Sequence, residues 1–242
     1  MSSSPTVQFA GVTKVFKQGD IDVHALRGLD FTVHPGEFVA LWGPSGSGKT
    51  TALNLVGALD TPTSGSVKLE GHELGTMSRR ELSALRRDRI GFVFQAYNLI
   101  PVLTAFENAE SVMALQGTPA AERKSRVMQL LKDVGLEGME HRRPHELSGG
   151  QQQRVAIARA IASNPAVVLA DEPTANVDSE TAEKLLTIMA KLNEDHGTTF
   201  IFSTHDPRVM RYAKRLVGLV DGRVHTDVVK EQGSLDAHLL PA

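Results

Sequence analysis

Apolar residues along the chain fall into short runs bounded by glycine and proline, alternating with stretches where they recur every three or four positions. Residues 7–42 read as strands and turns. Within them, Phe38-Val39-Ala40-Leu41-Trp42 lies between Pro35-Gly36 and Gly43-Pro44, the pattern of a buried parallel strand. A helix is expected from Lys49 to Leu59, a turn at Thr63-Ser64-Gly65, and strands over Ser66–Leu69 and Ile90–Phe94. The character then changes. Ala120 to Val134 reads as an amphipathic helix, with Val127, Leu130, Leu131 and Val134 on one face, and a second helix runs from about Gln151 to Ala162. Strand runs return at Val167–Ala170 and Thr199–Ser203. The helix between them carries Ala182, Leu185, Leu186 and Met189 on one face and ends near Gly197. Leu216–Val220 and Arg223–Val224, joined by Asp221-Gly222, predict a hairpin with a type I′ turn. Strand–helix alternation at both ends implies an α/β layer with a mostly parallel sheet, and the middle third reads as a helical insertion.

Composition narrows the function. The 242 residues contain no cysteine, which excludes disulfides, thiolate zinc sites and thiol catalysis. Lys plus Arg number 26 against 28 Asp plus Glu, a net charge of −2, so a protein built mainly to grip a nucleic-acid backbone is disfavoured. No apolar run approaches the length of a membrane span. The start, MSSSPT, lacks the cations and apolar core of a secretory signal, so the chain is expected to remain in the cytoplasm.

Gly43-Pro44-Ser45-Gly46-Ser47-Gly48-Lys49-Thr50 matches G-x-x-x-x-G-K-[ST] between an expected strand and an expected helix. Such glycines let successive backbone N–H groups turn inward on phosphate oxygens, and the helix start adds a favourable dipole. Lys49 would place a compact positive charge on the β and γ phosphates, and Thr50 would offer a hydroxyl to Mg²⁺. Asp171 and Glu172 end the apolar run Val167–Ala170. The first suits a metal-bound water; the second suits a base or water-orienting group beside the γ-phosphate. Leu147-Ser148-Gly149-Gly150-Gln151 begins another helix and offers a second phosphate-binding helix start, or simply a serine-capped helix.

The Leu147–Gln151 pentapeptide resembles the signature of ATP-binding cassette ATPases, and the rest of that family's motifs follow in order. Gln95 is similar to the Q-loop glutamine, Thr174-Ala175-Asn176-Val177-Asp178 to the D-loop, and His205 to the switch histidine. Phe16 falls where the family places an aromatic that stacks on adenine, more often a tyrosine. Val177 stands where leucine is usual. The resemblance spans residues 7 to about 226. The segments Phe92–Pro101, Leu103–Asn108 and Ala170–Ser179 are similar to the ATPases of lipoprotein-releasing (LolD) and macrolide-export (MacB) systems, with the cell-division protein FtsE a neighbour. The proline usual after the Glu107-Asn108 pair is absent.

The resemblance implies one cassette with a P-loop NTPase (RecA-like) core. Residues 7–94 and 161–226 would form that core and an antiparallel β subdomain, 95–160 an inserted α-helical subdomain, and 227–242 a tail. It implies ATP and Mg²⁺ as ligands. Phe16, Gly43, Ser45, Gly46, Ser47, Gly48, Lys49, Thr50 and Thr51 would hold the nucleotide within one chain. Ser148, Gly149, Gly150, Gln151 and Asp178 would meet that of a second copy in a head-to-tail dimer. Glu172, His205 and Gln95 would act in hydrolysis, and Thr50, Gln95 and Asp171 around the metal. Permease subunits would be the partners, nucleic acid would not, and the chain would sit peripherally on the cytoplasmic face of the inner membrane. Two other functions stay open: an FtsE-like regulator that drives a membrane partner without moving cargo, and a soluble cassette ATPase.

Overall fold

The computed structural model describes residues 4–230. In chain order its elements are β1 (Val7–Gln18), β2 (Ile21–Val33), β3 (Phe38–Trp42), α1 (Lys49–Val56), β4 (Ser64–Leu69) and β5 (His72–Glu73). There follow α2 (Arg79–Arg89), β6 (Ile90–Val93), α3 (Ala105–Leu115), α4 (Ala120–Asp133) and α5 (Gly149–Ala162). The last are β7 (Val167–Asp171), α6 (Ser179–His196), β8 (Phe200–Thr204), α7 (Pro207–Tyr212), β9 (Arg215–Val220) and β10 (Arg223–Val229). Two compact units result. One takes the described residues up to Leu82 and those from Thr199 on; the other is Ser83–Thr198.

The first unit holds an antiparallel sheet in the order β2-β1-β4-β5. It also holds β3 in parallel between β8 and β9, with β10 antiparallel on β9. The core of this second layer is aromatic. Phe38 pairs in register with Phe200, and its ring lies 5.3 Å from that of Phe200 and 4.6 Å from that of Phe202, all three buried. Burying three phenylalanines on this parallel strand pair anchors the start of β3 against β8, four residues before Trp42. Asp221 and Gly222 both take positive φ, 47° and 74°, as a type I′ hairpin requires. β10 continues to Val229, five residues past the expected end, and the tail from 231 lies outside the described residues.

The second unit packs α3, α4, α5 and α6 with the parallel pair β6–β7. Both helix faces read from the sequence are buried: Val127, Leu130, Leu131 and Val134 on one, Ala182, Leu185, Leu186 and Met189 on the other. Among the described residues, no helix is long and apolar enough to cross a membrane.

Some boundaries move for physical reasons. α1 stops at Val56 rather than Leu59, because Gly57 caps it and Ala58 turns to φ 52°. β4 begins at Ser64, inside the expected turn. Three helices went unread. α2 is so rich in arginine that it shows no apolar stripe, yet its entry is a capping box. The Ser78 amide and hydroxyl both donate to Glu81 at 2.7 Å. Thr104 and Glu107 form the same box at the start of α3. α7 is only six residues long and starts on the Asp206 cap.

Candidate functional site

Each unit carries part of the motif set. In the first, the loop from Gly43 to Gly48 joins the end of β3 at Trp42 to α1. Gly43, Gly46 and Gly48 take φ of 146°, 80° and 101°, so the backbone curls in a manner closed to ordinary side chains. A Cβ on Gly48 would also stand 2.6 Å from the Ala25 carbonyl oxygen, where β2 presses on the loop. Lys49 is buried, and its Nζ donates to the carbonyls of Gly43 at 2.7 Å and Pro44 at 2.9 Å, with the Ser47 hydroxyl at 3.5 Å. The ammonium thus ties the two ends of the loop across its centre. α1 has no side-chain cap and no acidic residue in its first turn, so its positive N-terminal dipole meets no carboxylate of its own helix. Thr50 and Thr51 are the second and third residues of that helix. Ser45 lies on the exposed crest of the loop.

The hairpin turn braces this loop. Gly222 donates its amide to the Ser47 carbonyl at 3.2 Å and accepts from the Arg27 amide at 2.9 Å. The turn was legible in the sequence; its position under the loop was not. Phe16 sits on β1 opposite Val23 of β2 and is 42% exposed. The Lys14 ammonium lies 4.9 Å from the Phe16 ring centroid and is itself anchored to Asp60 at 2.6 Å. The ring is therefore held in place by a cation while staying accessible to a planar ligand. His205 is exposed and follows buried Thr204 at the end of β8. The Thr204 hydroxyl accepts from the Asp206 amide at 2.9 Å and Asp206 caps α7, so both neighbours of His205 are fixed.

In the second unit, β7 ends in Asp171, and Glu172 follows in a turn at φ 45°. A non-glycine residue there is strained by about 1–3 kcal/mol. Ser148 is the N-cap of α5. Its hydroxyl accepts from the Gln151 amide at 3.3 Å, while the Gln151 side chain accepts from the Ser148 amide at 2.9 Å. The serine cap, one of the two readings of this helix start, is present. The amides of Gly149 and Gly150, in the first turn, have no carbonyl within the helix to meet. Asp178 caps α6 through the Thr181 amide and hydroxyl, at 2.9 and 2.7 Å, which holds its carboxyl below the usual aspartate range. Gln95 is exposed, and its Nε2 lies 3.5 Å from the Asn176 side-chain oxygen.

Several residues in this unit escaped the sequence reading. Gln153 is fully buried and donates to the Pro173 carbonyl at 2.7 Å and the Phe94 carbonyl at 3.4 Å. It joins the segment after Glu172 to the segment before Gln95. Asn108 is equally buried. Its Oδ1 accepts from the Ile100 amide at 2.8 Å, and its Nδ2 donates to the carbonyls of Ile100, Leu103 and Thr104 at 3.0–3.2 Å. The loop it pins presents Ile100 and Val102 outward, the latter 73% exposed. Asn108→Ala removes four side-chain bonds to the backbone. The Ile100 and Thr104 carbonyls keep an amide partner, while the Ile100 amide and the Leu103 carbonyl lose their side-chain partner. Stability should therefore fall by about 1–3 kcal/mol, read as a shifted denaturant midpoint.

The donors fit the ligands the motifs imply. Hydroxyl, amide and carboxylate oxygens are the hard donors Mg²⁺ prefers, and the curled loop with its central ammonium suits a polyphosphate.

A family model described as ABC transporter matches residues 26–175. The lipoprotein-releasing system ATP-binding protein LolD of Anaeromyxobacter dehalogenans is 46% identical over 93% of this chain and 95% of that protein. The macrolide export ATP-binding/permease protein MacB of Azoarcus sp. is 43% identical over 93% of this chain, which covers 34% of that longer protein. Among solved structures, a dimeric, post-hydrolysis state of the ATP-binding cassette MJ0796 bound to ADP and Pi superposes with a TM-score of 0.84. It is 44% identical and covers 92% of this chain and 98% of that one; MJ0796 is a protein of Methanocaldococcus jannaschii. With a family model covering more than half its length and relatives of over 40% identity along nearly all of it, the chain belongs to the ABC transporter family.

Proposed function

We propose that this chain binds and hydrolyses ATP as a head-to-tail homodimer and that the cycle drives membrane-embedded permease subunits from the cytoplasmic face. The observation that carries the reading is the pairing, in one polypeptide, of a lysine-centred phosphate loop with a second, serine-capped helix start of the LSGGQ type. One chain needs only one such grip per nucleotide, so the second serves the nucleotide of a neighbouring copy. The dimeric state of MJ0796 with ADP and Pi supports this reading, as do the ATP-binding roles in the names LolD and MacB.

Each residue then has a task. Lys49 and the amides from Gly43 to Thr51 bind the phosphates, and Phe16 stacks on the base. In the first unit Thr50 would offer its hydroxyl to Mg²⁺; in the second, Asp171 would hold it through a water and Gln95 through its side-chain oxygen. When bound, Mg²⁺ offsets charge on the phosphate oxygens. Glu172 orients the attacking water and takes its proton, and His205 donates a hydrogen bond to the γ-phosphate. Ser148 and the Gly149-Gly150 amides bind the γ-phosphate held by the other copy, and Asp178 keeps the neighbouring segment ordered. Without the anion the two positive helix starts repel, so nucleotide state controls the interface. The Ile100–Val102 tip is the apolar contact for a permease helix, held by Asn108.

Ser148→Arg tests the shared site. The added cation and bulk should leave ATP affinity of the single chain within about twofold and abolish ATP-dependent dimerisation. Sedimentation with saturating ATP in a hydrolysis-deficient background reads this directly. A dimer of ordinary affinity would count against the head-to-tail arrangement.

A further inference from the structure

We propose that Tyr97 is a positioning residue for hydrolysis, linking the loop after β6, the start of α5 and the segment before α6 so that the three shift together. The proposal rests on the ATPase reading above and adds a residue to it. The Tyr97 hydroxyl donates to the Asn176 carbonyl at 3.2 Å. The same oxygen would stand 2.7 Å from a Cβ on Gly149, so any larger residue at the start of α5 would have to push the tyrosine hydroxyl aside. Tyr97 and Asn98 are turned to φ 54° and 50°. That turn is held by Arg159, whose guanidinium donates to the carbonyls of Tyr97, at 2.9 Å, and Asn98. Burial pushes the Arg159 pKa down, yet an arginine stays charged at neutral pH, so the clamp is permanent. Beside it, Asn176 donates to the Gln95 carbonyl at 2.9 Å.

One phenol therefore touches two of the segments and belongs to the third. An anion drawn to the Gly149 amide meets a backbone whose position Tyr97 sets, and any shift there is passed through the hydroxyl to Asn176. Thr181 supplies a second contact of this kind: its methyl would lie 2.4 Å from a Cβ on Gly150. Coupling of this sort needs only packed neighbours that move as one body.

Tyr97→Phe keeps the ring and removes the donor. In the full chain with Mg²⁺ and ATP, kcat should fall about fivefold, the scale of one lost hydrogen bond, with KM within about twofold of wild type. In a Glu172→Gln background the ATP concentration for half-maximal dimerisation should rise by about the same factor. Gly149→Ala drives a methyl into the hydroxyl, so its dimerisation defect should shrink when combined with Tyr97→Phe, whose nearest ring carbon would stand at an ordinary 3.6 Å. Additive defects overturn the proposal, as does a lower melting temperature with unchanged kcat and dimerisation. The Glu172→Gln parent separates the two claims. If the parent stays monomeric with ATP, the dimeric ATPase reading fails and the proposal with it. If the parent dimerises and Tyr97→Phe changes nothing, the proposal fails alone.

Discussion

Glu172→Gln is expected to bind ATP with near wild-type affinity, dimerise stably and turn over at least about a hundredfold more slowly, the usual scale of a lost general base. The substitution preserves length and shape and replaces one carboxylate oxygen by an amide, so only proton acceptance and charge are lost. The backbone supports the choice of residue. Glu172 directly follows the last residue of β7, at φ 45°, and its carbonyl accepts from the Ala175 amide at 3.2 Å, which closes the turn. A strained backbone held by a closed turn points a side chain where an unstrained extension of the strand would not. Asp171, one residue earlier, still belongs to the strand. The two neighbouring acids therefore point differently and can divide metal binding from water activation. Single-turnover hydrolysis beside equilibrium nucleotide binding makes the test. Wild-type turnover in the variant would remove Glu172 from the role, and parallel loss of binding would show that the strained turn had collapsed.

The order of elements was legible because each carries its own local chemistry. The apolar pentad of β3 and the Gly-Lys-Thr after it specify strand, loop and helix within thirteen residues. Capping pairs were an unused signal. Ser78 with Glu81 and Thr104 with Glu107 mark the starts of α2 and α3, which hydrophobic periodicity alone did not reveal. What could not be read is the bracing of the site residues. Asn176 meets Gln95 across 81 positions, Arg159 meets Tyr97 across 62, and Gln153 meets Pro173 across 20. None of these pairs has a spacing rule; they arise only once β6, β7 and α5 are packed together. The left-handed backbone of Glu172 and Tyr97 was equally hidden, since nothing in those residue types announces a positive φ, whereas Asn98 is of a type enriched there.

Lys49→Ala should weaken ATP binding by about ten- to a hundredfold, the loss of a charge-assisted contact to the phosphates, and should also destabilise the protein without nucleotide. The second effect follows from where the ammonium rests. It is buried and donates to the carbonyls of Gly43 and Pro44, so its removal leaves the loop ends without their tie as well as leaving the ligand without its cation. Nucleotide-free denaturation isolates the first consequence, for which about 1–3 kcal/mol is expected; calorimetric titration with ATP isolates the second. Lys49→Arg separates them further. It keeps the charge, but a planar fork cannot enter the space of a compact ammonium without spreading the loop, so its affinity should fall nearly as far as that of the alanine variant. If the arginine variant instead bound ATP as wild type does, net charge alone would account for the site. The curled backbone between Gly43 and Gly48 would then lose its place as the feature that recognises the polyphosphate.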